Sequence, residues 1–295
     1  MHPSLTINDD ALRSSIHTDF TIETLDSSCT FSEGPIWSAD GYYLFSDIPE
    51  NIICKIEPGK PKEVYLQNSG CETLTEDIYD HMKGSNGLAF YAGNLLICQH
   101  GGHGIAQYNG TSIEPFITGY GGKPFNSPND IIIHANSSIF FSDPPYGLQG
   151  QKLIAGKFQP VAGIYCWQNG EVQLLFDQYQ YPNGVCLSPD GTKLYACSNK
   201  PFERYVMQFD ITDLSNHHIL CHENGDGIEC DRNGNIYLCA KEGIVIVNDA
   251  GKRLGVIELP TIPANICWGG KDNNDLFITA RQNIFLIRNL SEPGF

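Results

Sequence analysis

YPNGVCLSPDGTKLYACSN, running from Tyr181 to Asn199, contains the unit from which the whole chain is built. A polar residue and a glycine, Asn183-Gly184, open a short apolar strand. The chain then turns through Pro189-Asp190-Gly191 and enters a second strand, KLYACSN, from Lys193. Working outward, the same phrase recurs as Glu33-Gly-Pro-Ile-Trp, Asn86-Gly-Leu-Ala-Phe, Asn129-Asp-Ile-Ile-Ile, Asp226-Gly-Ile-Glu-Cys and Asn265-Ile-Cys-Trp. The six first positions are separated by 53, 43, 54, 43 and 39 residues.

Each phrase is followed by a second strand, as in YYLFSDI from Tyr42 or DLFITAR from Asp275, and then by a third, as in GIYCWQNG or GIVIVND. A fourth follows in the first five units: EVYLQ, IEPFIT, VQLLF, HHILC and VIELP. Six units of about four strands predict an all-β chain folded as a six-bladed β-propeller. The sixth unit ends at Phe295 after its third strand, and DFTIETL near Asp19 is expected to supply the fourth, so that N- and C-terminal strands close one blade. Residues 1–295 then form a single domain, with 1–18 as an N-terminal extension. A sandwich would not need this period, and an open solenoid would expose two apolar ends.

The composition agrees. Of 295 residues, 41% are hydrophobic and 18% charged, enough apolar material for a core, while 30 Gly, 17 Pro, 14 Tyr and 15 Phe suit short aromatic strands joined by turns. Eighteen basic against 34 acidic residues leave a net charge of −16, which argues against nucleic acid and anionic membrane as partners. No stretch approaches the roughly 20 apolar residues of a membrane span, and MHPSLTINDDALRSS lacks the order of a signal peptide, so a cytoplasmic location is expected. The 11 cysteines have no C-x-x-C spacing, and several sit in apolar strands; they read as buried free thiols.

In a propeller the first strand of each blade lines the central channel, so the residues opening the phrases should converge there. They are Glu33, Asn86, Asn129, Asn183, Asp226 and Asn265. Two carboxylates and four amides buried together without Lys or Arg are poor neighbours unless a cation sits among them. Oxygen donors favour a hard divalent cation, Ca²⁺, Mg²⁺ or Mn²⁺, although carboxylates also bind catalytic Zn²⁺. The plainer reading is that Asn and Asp cap turns; it is even with the functional one for Asn86 and Asn265, and weak for Glu33.

SEGPIW, NSPNDIII followed by FFSDPPYGL, YPNGVCLSPDG and GDGIECDRNGNIY resemble the senescence marker protein/gluconolactonase/regucalcin-like family, closest to its bacterial gluconolactonase branch. The resemblance extends from about Cys29 to Arg281. It implies a six-bladed propeller with one divalent metal, Ca²⁺ foremost, and hydrolysis of sugar lactones. It makes Glu33, Asn183 and Asp226 metal ligands, and Asn129 a fourth ligand or a substrate contact beside the metal. The animal branch has a substrate-contacting Arg where this chain has Ser127, so that contact does not carry over. Where bacterial relatives read E-H-G and then basic residues, this chain reads Gln99-His100-Gly101-Gly102-His103-Gly104.

The leading expectation is metal-assisted opening of a small-molecule lactone, with Asp226 as the base that activates water. Asn86 joins Asn129 in contacting substrate. His100 and Asp143, each 14 residues after its phrase, end second strands and are expected at the pocket mouth as further substrate contacts, His100 also as a proton carrier. Asp130 would either orient Asn129 or simply bond to backbone, the latter being slightly favoured. The pairing His217-His218 with His222 falls on an edge strand, and no G-x-S-x-G elbow occurs. Rival functions are a phosphotriesterase or phosphorofluoridate hydrolase on the same metal site, and a noncatalytic binding propeller. Residues 72–83, ETLTEDIYDHMK, read as a helical lid or a long blade connection, and oligomeric state is not legible.

Overall fold

The six repeats fold into six antiparallel sheets, seen in a computed structural model that describes residues 4–72 and 75–291. The first blade shows the pattern: Ser32–Ser38, Tyr42–Asp47, Ile52–Ile56 and Glu63–Gln67 pair in chain order. The inner strands of the remaining blades are Ser85–Tyr91, Ile131–Ile133, Pro182–Leu187, Ile228–Cys230 and Asn265–Gly269. Each inner strand packs on the next and the sixth packs on the first, so the ring closes around a channel. Closure buries both faces of every sheet and leaves no long strand edge at the ends of a stack.

The sixth blade is completed as the repeat count requires. Ile22–Asp26 adds to Asn283–Ile287 in antiparallel register, with Ile22 opposite Ile287. The bridge between Ile16 and Ser291 and the bond from His17 N to Leu290 O extend this closure by a few residues. Phe295 lies outside the described residues.

The N-terminal extension holds a surprise. Leu5–Ile7 forms a fifth strand on blade five, Leu5 opposite Ile257, and a 3-10 turn at Asp10–Ser14 sinks Leu12 fully into the core between blades five and six. Residues 1–3 lie outside the described part.

Alternation along the second and third strands puts one set of side chains toward each neighbouring blade, which is why most residues of these strands are buried. Aromatic pairs join adjacent blades: Tyr43 stacks on Phe277 with centroids 4.2 Å apart, linking the first blade to the sixth. All 11 cysteines are buried and free. Residues 75–83 form a long connection with only a 3-10 turn at Asp80–Met82, not a helical lid, and Ile78 bridges to Leu148. Thr73 and Leu74 of that segment lie outside the described residues. Among the described residues no helix is long and apolar enough to cross a membrane.

Candidate active site

In the phrases that carry a glycine after the polar residue, at Gly34, Gly87, Gly184 and Gly227, the inner strands come close, and in three blades the pairing also slips. Pairing with the second strand slips at Glu33 to Ile36, at Ser85 to Leu88 and at Pro182 to Val185. Each slip is a bulge, which turns the polar side chain out of the strand's alternation and toward the axis. The glycines let inner strands touch. Gly87 N bonds to Asn129 O (2.7 Å), Gly184 N to Asp226 O (2.9 Å) and Gly227 N to Ala264 O (2.7 Å), contacts that a Cβ would obstruct.

A cavity of about 290 Å³ opens at this end of the channel, and Glu33, Asn86, Asn129, Asn183 and Asp226 line it. Their amides form a relay: Asn86 Nδ2 donates to Asn129 Oδ1 (2.6 Å), Asn129 Nδ2 to Asn183 Oδ1 (2.7 Å), and Asn183 Nδ2 to Asp226 Oδ1. Two details of the relay leave hydrogen-bonding groups unsatisfied. The buried Asn86 Oδ1 has no partner. The two ring nitrogens of His100 each face an acceptor, Nδ1 the Met82 carbonyl (3.2 Å) and Nε2 the Asn129 Oδ1 (3.3 Å), and the single proton of a neutral ring serves only one of them. Turning over the amides of Asn86 and Asn129 together gives both Asn86 Oδ1 and His100 Nε2 a donor in Asn129 Nδ2 and moves Asn86 Nδ2 to the position its oxygen leaves. The Asn129 oxygen then faces the oxygen of Asn183, beside the carboxylates of Asp226 and Glu33, and a cation is the group that joins such a set. Residues and cation therefore fit. Among the described residues no three His, Cys, Asp or Glu side chains gather as a metal cluster, because here half of the donors are amides.

Electrostatics point the same way. Burial, and then the nearby Asp226 charge, push the Glu33 carboxyl well above its ordinary range, with hydrogen bonds from Gly34 N (2.9 Å) and the Asn265 side chain opposing. Burial raises Asp226 to about 6, against hydrogen bonds from Asn199 and Asn183 and the positive charges of Lys200 and Arg281. Both amide bonds fall on Oδ1, from Asn199 at 2.8 Å and from Asn183. Tyr146 Oη supports this arrangement by donating to Asn199 Oδ1 (2.8 Å) and accepting from Asn183 Nδ2 (3.3 Å). Tyr146, Asn199, Lys200 and Arg281 line the cavity and are not marked by the repeated phrase. The usable signal is distance: Asn199 and Arg281 both stand 16 residues beyond the start of their phrases, at Asn183 and Asn265.

The other expected residues are placed differently. His100 is fully buried behind the wall, and burial lowers it to about 4, which leaves it neutral and unsuited to carry protons near pH 7. Asp143 is buried away from the cavity and accepts the backbone N–H groups of Asn126 (2.9 Å) and Ser127 (2.8 Å). Asp130 bonds the N–H groups of Ile131 (3.1 Å) and Val185 (3.0 Å), so both its oxygens go to backbone. Asn265 turns away from the relay: its oxygen caps Ile266 N (2.8 Å), and its side chain hydrogen-bonds toward Glu33 and Asp130.

A second cavity, about 420 Å³, opens at the opposite mouth and contains Asp130 and Glu229. Burial and the Asp130 charge raise Glu229 to about 8. The folded state therefore holds a proton there that the unfolded chain, with an ordinary carboxyl, has already lost; stability drains away as pH climbs toward and through 8. Glu229→Gln keeps the uncharged form, so its effect on unfolding free energy should become more favourable by about 2 kcal/mol between pH 5 and pH 9. Denaturant titrations at the two pH values measure this, and a pH-independent effect would contradict it.

The family model described as SMP-30/Gluconolactonase/LRE-like region matches residues 31–282. The chain belongs to this family. A gluconolactonase of Zymomonas mobilis subsp. mobilis is 30% identical over 287 residues, spanning 90% of this chain and 81% of that one. Lactonohydrolase oryL of Aspergillus oryzae is 23% identical, over 92% of this chain and 70% of its own. Among solved structures, a gluconolactonase of Xanthomonas campestris superposes with a TM-score of 0.83 at 24% identity, covering 96% of this chain and 93% of that one. Regucalcin of Agrobacterium tumefaciens, described as a calcium-binding protein, gives 0.72 at 19%, covering 94% and 96%. At these identities the structural likenesses speak to the fold.

Proposed function

We propose that this SMP-30/gluconolactonase-family chain is a metal-dependent lactonase that opens a sugar lactone. The observation carrying the proposal is the convergence of Glu33, Asn129, Asn183 and Asp226 at one end of the channel, with the Asn86 oxygen left unpartnered and both His100 nitrogens facing acceptors until the amides turn. Glu33, Asn183, Asp226 and Asn129 would hold one divalent cation, Ca²⁺ before Mg²⁺, Mn²⁺ or Zn²⁺ given the oxygen donors. When bound, the cation would draw electron density from the lactone carbonyl and favour the charge that builds on its oxygen. Lactone hydrolysis named for relatives in Zymomonas and Aspergillus supports the same reading.

The chain's own residues supply the proton chemistry. Asn199 and Asn183 anchor Oδ1 of Asp226, leaving Oδ2 to take a proton as water oxygen bonds to the acyl carbon. The ring C–O bond then breaks, and Asp226 Oδ2 returns the proton to the ring oxygen. At neutral pH the new carboxylic acid releases one proton to solvent. That proton is the readout: metal-stripped protein should open no aldonolactone in a small panel, and one of Ca²⁺, Mg²⁺, Mn²⁺ or Zn²⁺ should restore acid release by at least ~100-fold. Confirmed cation binding without hydrolysis of any member of the panel would overturn the lactonase reading.

A further inference from the structure

Four charged side chains line the active-site cavity, and they are divided by depth. Glu33 is buried on the floor and Asp226 beside it is partly buried, whereas Lys200 and Arg281 come from loops that follow the second strands of blades four and six. Lys200 is half-buried and Arg281 exposed. Among the described residues neither takes part in an ion pair, although the chain carries 34 acidic side chains. Each lies instead over aromatic faces. Lys200 Nζ is 4.5 Å from the ring centroid of Tyr181 and 5.2 Å from that of Tyr146, and the Arg281 guanidinium is 5.4 Å from that of Phe31. An aromatic face holds a cation in place and leaves its charge uncancelled.

The charge count then names the ligand. Two carboxylates on the floor are balanced by one divalent cation, and the loaded cavity keeps the two positive charges of Lys200 and Arg281 at its mouth. A lactone without charge pairs with neither. We infer that the substrate is a monosaccharide-sized lactone bearing an anionic group, a carboxylate or a phosphate, at the end remote from its ring carbonyl, with Lys200 and Arg281 as the residues that select it. This rests on the lactonase reading above and narrows it. The cavity volume of about 290 Å³ suits one sugar ring and such a substituent. A chain of net charge −16 repels anions at long range, so an anionic substrate needs a local positive mouth to be drawn in. The reaction balances as before: water adds at the acyl carbon, the ring C–O bond breaks, and the product carries one more negative charge than the substrate, with one proton released.

One aldonolactone ring in three forms makes the test: terminal hydroxymethyl, terminal carboxylate and terminal phosphate monoester, assayed with the metal-loaded protein. At low ionic strength at least one anionic form should exceed the neutral form in kcat/KM by about tenfold or more, and salt should narrow the ratio. In Lys200→Gln/Arg281→Gln the ratio should fall to about one, with melting temperature checking that the double variant is folded. Whichever anion leads identifies carboxylate or phosphate as the group recognised. Calorimetric binding of the three corresponding lactams, which water does not open, gives the same comparison without turnover. If no lactone is opened, the lactonase reading fails while the lactams still report on charge selection. A neutral form that is bound and opened as well as the anionic ones, or a preference that survives the double substitution, overturns the inference.

Discussion

Asp226→Asn is expected to lower kcat by about 10³-fold while weakening cation affinity far less, because the amide keeps one oxygen donor and loses the proton acceptor. The argument rests on the division of labour between its two oxygens: Oδ1 is held by Asn199 and Asn183, and Oδ2 is left for water. Glu33 is the competing base, but its Oε2 is tied to Gly34 N and burial beside Asp226 drives it toward the protonated form. Asp226 at about 6 in the metal-free protein is already mostly ionised at neutral pH, and a bound cation lowers it further. Activity of the wild-type chain should therefore rise with pH along an acidic limb below 6, and that limb should vanish in the variant. Single-turnover rates at saturating metal, set beside cation titration by calorimetry, separate the two effects. Equal losses in rate and metal affinity would reduce Asp226 to a ligand, and an undiminished rate would remove it from the chemistry.

The fold was legible because a closed propeller imposes its period on the chain. Six phrases that each open on a polar residue, four of them followed by glycine, recur at intervals of 39 to 54 residues and count the blades, and a sixth unit one strand short leaves the closing partner to Ile22–Asp26. Leu5–Ile7 left no such mark: three residues of alternating exposure added to an already complete blade belong to no repeat. The floor of the site was legible for the same reason as the fold, since it is made of the repeated positions themselves. Its rim was not. Lys200, Arg281 and Tyr146 lie in loops after the second strands, where lengths differ and no periodicity applies. His100 and Asp143 sit at or just past the last residue of those strands, where alternation still decides direction and sends the side chain into the protein; in blades four and six the residues reaching the cavity come two positions later.

Gly34→Ala should be strongly damaging, lowering the melting temperature by about 10 °C and abolishing cation binding. Gly34 has φ +51°, a left-handed conformation that costs an alanine about 1–2 kcal/mol before any contact is considered. The contact is worse: a Cβ there would lie 2.1 Å from the Asn86 carbonyl oxygen and 2.5 Å from its carbon. These are backbone atoms of the neighbouring inner strand, so no side-chain rotation relieves them, and overpacking adds about 1–3 kcal/mol. Relief requires the first two blades to part at the axis, which separates Glu33 from the Asn86–Asn129 relay and dismantles the floor. Gly93→Ala supplies the control. Gly93 has φ +81° with open space around its Cβ position, so it carries the backbone penalty alone and should lower melting temperature by only a few degrees with cation affinity intact. Matching effects at the two sites would mean that backbone conformation, rather than the approach of adjacent blades, sets the requirement for glycine in the repeated phrase.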